Sequence, residues 1–246
     1  MNKPEMKNNL LTLEGVNTHI GAYHILHGVD LVVPRGELTL LLGRNGAGKT
    51  TTLRTIMGLW PASQGRIIFG AEDITALNTP AIAQKNIAYV PENMGIFADL
   101  TVKENMLLAA RSAKNAAQMD GERLQWIFKL FPAVEKFWNH PAGKLSGGQK
   151  QMLAVSRAIV EPRDLLIVDE PSKGLAPAII QNMIDAFQQL KQSGVTVLLV
   201  EQNIHVAQQL GDSVAVMDNG RVVYSGRMQA LAEDTALQQS LLGLAL

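Results

Sequence analysis

The stretch Gly43-Arg44-Asn45-Gly46-Ala47-Gly48-Lys49-Thr50 constrains this chain more than any other. Glycine, four residues, then Gly-Lys-Thr is the spacing of a phosphate-binding P-loop. Its context gives the motif weight. The apolar run Leu38-Thr39-Leu40-Leu41-Leu42 precedes it and reads as a buried strand, and Thr51 to Met57 reads as a helix. Strand, glycine loop and helix N-terminus in that order aim backbone N–H groups and the positive end of a helix dipole at one point. The glycines permit positive φ and a close approach of backbone to phosphate. On this reading Gly43 to Thr51 line a nucleotide. The Lys49 ammonium reaches the β- and γ-phosphates, the Thr50 hydroxyl ligates Mg²⁺, and the Arg44 side chain points away.

Composition narrows the setting. The 246 residues suit one large domain or a core with a subdomain, and a hydrophobic share of 47% can fill a sizeable core. Net charge is zero, which gives no general attraction to nucleic acid or anionic lipid. There is no cysteine, hence no disulfide and no thiolate metal site. No apolar run approaches the ~18 residues of a membrane span. Met1 to Asn9 is polar and dotted with lysine, so it reads as a loose tail rather than a signal peptide. A cytoplasmic protein is expected, reaching any membrane through a partner.

The remaining elements follow from periodicity and breakers. Leu10 to Val16 alternates and reads as a strand, Asn17 to Ala22 as a turn-rich break, and Ile25 to Val33 as a second strand closed by Pro34-Arg35-Gly36. Short turns between early strands imply antiparallel pairing. Arg66 to Phe69 and Ile87 to Val90 are further short strands. From Thr101 to about Gly143 the composition turns to Ala, Leu, Met, Lys and Glu, with helices expected over Val102 to about Ala113 and Gly121 to Leu130. Trp126, Leu130 and Val134 are expected to form a small core of their own there, with Phe131, Phe137 and Trp138 as packing. Gly147 to Val160 and Ala178 to Gln192 read as helices. Asp164 to Asp169 and Val195 to Val200 are apolar strands of a parallel sheet covered on both faces. Val214 to Tyr224 reads as a hairpin about Asn219-Gly220, and 228–246 as a mostly helical tail.

Two further stretches carry chemistry. Asp169 and Glu170 end an apolar strand, at the strand ends where open α/β sheets bind ligands. There Asp169 holds Mg²⁺ and Glu170 polarises the attacking water. Leu145-Ser146-Gly147-Gly148-Gln149 opens a helix and offers a second anion site. Two phosphate-binding motifs in one chain make sense if two chains pack head to tail, each closing on the other's nucleotide. With these residues in place, the chain resembles the nucleotide-binding subunit of an ATP-binding cassette (ABC) transporter over about Leu10 to Arg227.

The resemblance implies an α/β fold: a P-loop NTPase core with a mostly parallel sheet, an N-terminal antiparallel β subdomain and an α-helical insertion. The ATPase domain then spans 10–246, with core at about 10–92 and 150–227, helical subdomain at about 101–149 and tail at 228–246. It implies ATP and Mg²⁺ as ligands, with Thr50, Asp169 and Glu92 at the metal. Tyr23 stacks on adenine, and Lys49, Glu170 and Gln202 serve catalysis. Glu92, Ala176 and Gln202 stand where the family has glutamine, aspartate and histidine. Together with Pro171 to Pro177 and Val200-Glu201-Gln202-Asn203, these departures resemble the second ATPase of branched-chain amino acid importers, including related urea and amide systems. The partners implied are a paralogous or identical ATPase subunit in a head-to-tail dimer, two permease subunits and, indirectly, a periplasmic binding protein, with no nucleic acid. The implied place is the cytoplasmic face of the inner membrane, held there by the permeases. The rival readings are an importer subunit for a different solute, a soluble ABC ATPase of DNA repair or translation, and a P-loop small-molecule kinase. One cassette, a short insertion and neutral charge stand against the soluble ATPase, and the Leu145 to Gln149 motif against the kinase.

Overall fold

The structure is a computed structural model that describes residues 8–113 and 115–243. The expected N-terminal tail therefore lies almost wholly outside the described residues, as do 244–246. In chain order the elements are β1 (Asn9–Ile20), β2 (Tyr23–Pro34), β3 (Leu38–Gly43), α1 (Lys49–Ile56), β4 (Ala62–Phe69), β5 (Glu72–Asp73), α2 (Thr79–Ala83) and β6 (Ile87–Val90). The helical stretch follows: α3 (Val102–Ala109), α4 (Gly121–Leu130), α5 (Pro132–Lys136) and α6 (Gly147–Ala158). The chain then returns to the sheet with β7 (Leu165–Asp169), α7 (Pro177–Gln192), β8 (Thr196–Val200), α8 (Ile204–Leu210), β9 (Ser213–Asp218) and β10 (Arg221–Arg227). It closes with α9 (Met228–Glu233) and α10 (Thr235–Leu242).

Two sheets form. One is antiparallel, in the order β2-β1-β4-β5; the other runs β10-β9-β3-β8-β7-β6, parallel except for β10. The central strands β3, β7 and β8 are buried along their whole length. Successive side chains point to opposite faces of a strand, and the buried residues divide accordingly. Leu40, Leu42, Leu166, Val168 and Leu199 join the layer packed on α3 to α7. Leu41, Leu165, Ile167, Leu198 and Val200 join the layer under α1 and the antiparallel sheet.

Five expectations change, the first being that β4 begins at Ala62 rather than Arg66, where Ala62 and Gln64 pair with β1. β1 continues through Ile20 where a break at Asn17 was expected. Thr18 is buried and His19 pairs with His24, so only Gly21-Ala22 remains as the turn. α3 ends at Ala109 rather than near Ala113, because Ala110 leaves helical geometry and Ser112 turns to donate its backbone N–H and hydroxyl to Glu161. The insertion has no separate core. Leu130 and Val134 belong to the same buried cluster as the sheet face, with Trp126 packed on its rim. The short helices α2, α5 and α8 were not expected; Asn78 and Asn203 cap α2 and α8, and Pro132 opens α5. Of the insertion's aromatics, Phe131 is fully buried, and Trp138 meets Phe128 edge to face at 5.2 Å.

The β9–β10 hairpin braces the P-loop. Asn219 and Gly220 both have positive φ, the conformation of a tight two-residue hairpin turn. Gly220 N–H donates to Ala47 O at 2.9 Å, and His27 N–H donates to Gly220 O at 2.8 Å. A Cβ at Gly220 would lie 2.1 Å from Ile25 O, whereas one at Gly70, also at positive φ, would meet nothing within 4 Å. Gly220→Ala is therefore expected to lower stability by about 1–3 kcal/mol more than Gly70→Ala. Urea unfolding midpoints of the two variants provide the comparison.

Candidate active site

Parallel pairing sets the site. Gly43 pairs with Met217 and Asp169 with Val200, so β3, β7, β8 and β9 end level and the loops that follow them converge. Gly43 must be glycine, since a Cβ there would lie 2.3 Å from Met217 O. Gly48, at φ 104°, caps α1 without a side-chain hydrogen bond. The first N–H groups of a helix have no acceptor within it, so this end of α1 is prepared for an anion. Ala47 N–H closes the loop on Arg44 O at 3.1 Å. Thr51 is half-buried in the first turn of α1. The Arg44 guanidinium lies beside Gly243, at the end of α10.

The Lys49 ammonium is buried. It donates to Gly43 O at 2.8 Å and Arg44 O at 3.1 Å, and it stands 3.6 Å from a Glu170 carboxylate oxygen. Thr50 Oγ1 donates to Asp169 Oδ1 at 3.2 Å, and the Tyr89 hydroxyl approaches Asp169 Oδ2 at 3.5 Å. Burial pushes the Asp169 carboxyl up from the ordinary aspartate range, and the Glu170 and Glu92 charges add to this against the Thr50 hydrogen bond. Burial, then the Asp169 charge, pushes the Tyr89 hydroxyl up to about 12, so it remains a protonated donor.

Glu170 sits in the left-handed region at φ 49°, a conformation that costs energy and recurs at active sites. Its N–H donates to Val200 O at 3.0 Å, and the N–H of Lys173 returns to Glu170 O at 3.2 Å. The Gln202 amide donates to a Glu170 carboxylate oxygen and, at 2.8 Å, to Asn45 Oδ1. Lys49, Glu170, Gln202 and Asn45 thus form one hydrogen-bonded and ion-paired group, and the Thr50–Asp169 pair lies beside it at the end of β7. Behind it, buried Glu201 accepts from Ser172 Oγ at 2.7 Å, Ser172 N at 3.1 Å and Gln202 N at 3.2 Å. These bonds pull its proton affinity down against the larger upward effect of burial.

Of the other expected site residues, Glu92 reaches the Lys49–Glu170 group through Lys173, which stands 3.6 Å from Glu170 Oε2. Glu92 follows β6 and is paired at 2.6 Å with Lys173. Tyr23 is 76% exposed at the β1–β2 tip, opposite Ile20. Ser146 and Gly147 are exposed at the N-terminus of α6, where Ser146 and Gln149 form a reciprocal capping box. Gly148 is pressed on α7, where a Cβ would lie 2.5 Å from Ile179 Cγ2. Sequence reading missed Tyr89, Lys173 and the Ser172–Glu201 pair. Only Tyr89 left a signal, as a polar-tipped residue in a buried strand ending beside Asp169.

A P-loop at the head of a parallel sheet, facing a paired Asp-Glu strand end, defines a nucleoside triphosphatase. Residues 26–173 match the sequence profile of the family described as "ABC transporter". The chain is 39% identical to the high-affinity branched-chain amino acid transport ATP-binding protein BraG of Pseudomonas aeruginosa, over 95% of this chain and all of that one. A nucleotide-free ATP-binding cassette from an ABC transporter superimposes with a TM-score of 0.79 at 25% identity, covering 96% of this chain and 100% of that chain. A dimeric bacterial ABC transporter cassette matches with a TM-score of 0.78 at 25% identity, covering 89% and 98%. The chain belongs to the ABC transporter family of ATP-binding proteins. It is an ABC-type ATPase.

The raised proton affinity of Asp169 carries a stability consequence. A carboxyl with a folded-state pKa above its unfolded value binds more protons when folded, so ionising it at neutral pH costs stability. Asp169→Asn is expected to raise the thermal midpoint of the nucleotide-free protein at pH 7, with the gap narrowing as pH falls towards the ordinary carboxylate range. Thermal unfolding across pH 4–7 is the measurement, and an unchanged or lowered midpoint at pH 7 would contradict the argument.

Proposed function

We propose that this chain is the ATP-hydrolysing subunit of an importer for branched-chain amino acids or related small solutes. The observation that carries the reading is its match to BraG over that protein's full length. In this reading Lys49 and the N–H groups of 43–51 hold the phosphates, Glu170 accepts the proton of the attacking water, and Gln202 orients the γ-phosphate side. Tyr23 takes the adenine. Thr50 and Asp169 face the Mg²⁺ of the nucleotide, joined by Glu92. Among the described residues no group of three His, Cys, Asp or Glu is arranged to hold a metal alone. That fits Mg²⁺, which takes one or two carboxylates and completes its shell with phosphates and water. When bound, the ion neutralises charge on the β- and γ-phosphates.

Ser146 to Gln149 serve the nucleotide of a second ATPase subunit, identical or paralogous, packed head to tail. Residues 101–149 act as a subdomain that carries the resulting motion to two permease subunits, which hold the chain at the cytoplasmic face of the membrane and receive solute from a periplasmic binding protein. Among the described residues no helix is long and apolar enough to cross a membrane. A cleft of about 1140 Å³ between β6, α1, α3 and α6 supports the coupling reading. It is lined by 91–95 and by Arg54, Arg111, Arg157 and Arg163, with exposed Leu59 and Leu108 in its wall.

Glu170→Gln keeps the shape of the side chain and removes the base. ATP should still bind, while hydrolysis in the assembled complex falls by about 10²–10⁴-fold. Turnover near the parent rate would assign the base elsewhere. Ser146→Arg should leave ATP binding to the single chain at its parent value and abolish the ATP-dependent dimer seen by light scattering. Loss of single-chain binding would place the motif in its own subunit's site. For the solute, ATPase of the reconstituted transporter should rise with leucine, isoleucine or valine on the binding protein. Stimulation by an unrelated solute alone would overturn that part.

A further inference from the structure

Lys173 is not among the residues that the reading above uses, yet its ammonium lies between two of them. It is 2.6 Å from a Glu92 carboxylate oxygen and 3.6 Å from Glu170 Oε2. The other oxygen of Glu170 faces Lys49 at 3.6 Å. Three carboxylates, Glu92, Asp169 and Glu170, therefore gather at the ends of β6 and β7 with two lysines among them. The lysines differ in kind. Lys49 is buried with its side chain 4% exposed, while the Lys173 side chain is 57% exposed and its partner Glu92 45% exposed. Exposed ion pairs are weak and readily exchanged.

The two ends of the Lys173–Glu92 bridge are anchored differently. Lys173 follows Ser172, which is tied to buried Glu201, and its own N–H bonds Glu170 O. Its backbone is thus fixed to the catalytic strand ends. Glu92 belongs to the loop that leads from β6 into the helical insertion, and its carboxylate accepts a hydrogen bond from this lysine.

We propose that Lys173 is a positioning residue that competes with Mg²⁺ for Glu92. It holds that carboxylate to the catalytic turn in the nucleotide-free chain and releases it to the metal when nucleotide is loaded. Glu92 exchanges one cation for another, and the loop of residues 91–100 shifts its attachment from the Lys173 turn to the nucleotide. The proposal rests on the reading of Glu92 as a metal-side carboxylate.

The test is a Mg²⁺ titration of the full chain with a fluorescent ATP analogue, read as the Mg²⁺ concentration that half-saturates nucleotide binding. Removing a competing exposed ion pair is worth about 1.5- to 5-fold. Lys173→Met should lower the half-saturating Mg²⁺ by that factor, and Lys173→Arg should restore the parent value. Glu92→Gln should raise it, and adding Lys173→Met to Glu92→Gln should then change nothing further. If Lys173→Met leaves the titration unchanged while Glu92→Gln shifts it, the competition is refuted and the reading of Glu92 stands. A rise in the half-saturating Mg²⁺ of Lys173→Met would make the lysine a supporting strut, which also overturns the proposal. If Glu92→Gln has no effect either, the metal-side reading of Glu92 is what fails.

Discussion

The parallel pairing of β3 with β8 and of β8 with β7 is the constraint on which the site depends. Antiparallel neighbours would send alternate loops to opposite edges of the sheet. Parallel ones bring Gly43, Asp169 and Val200 to one edge, so chemistry drawn from three distant parts of the chain meets within hydrogen-bond distance. The same arrangement demands strands apolar on both faces, because helices and the antiparallel sheet cover them. Leu38 to Leu42, Leu165 to Val168 and Val197 to Val200 meet that demand.

A second constraint is electrostatic. Asp169 and Glu201 are nearly inaccessible to water, and burying a carboxylate is costly without compensation. Glu201 is compensated by donors from Ser172, Gln202 and Asn203, which makes it a strut between two loops. Asp169 has fewer donors, Thr50 and the distant Tyr89 hydroxyl, and it lies near two other carboxylates. One buried acid is satisfied from within the chain, and the other retains capacity for a cation. That contrast separates the acid that holds the site together from the acid suited to serve it.

Much of this was legible because the signals are local. The P-loop, the Asp169-Glu170 strand end and the capped helix at Ser146 each declare themselves within about ten residues, and the β9–β10 turn is announced by Asn219-Gly220. Elements decided by distant partners were less legible. β1 runs past Asn17 because β2 and β4 pair with it there, which overrides the local turn signal. α3 stops early because Glu161 draws Ser112 away. Lys173 meets Glu92 across 81 residues and Ser172 meets Glu201 across 29, separations that no periodicity records. The short helices α2 and α8 carry too few turns for a repeat to show.

The strand order also bears on how the chain is made. β3 ends at Gly43, and its sheet neighbours are β8, from Thr196, and β9, from Ser213. A ribosome adding residues at about 5–20 per second leaves β3 without either neighbour for on the order of ten seconds or more. Through that interval one of the most apolar segments of the protein has unpaired backbone on both sides, the condition in which strands join the wrong chain. The antiparallel sheet is formed from residues before Ile74 and can assemble early, covering one face of β3 while both its edges wait. The late-made quarter of the chain is therefore what closes the sheet, and truncations within it should yield insoluble protein rather than a smaller folded one.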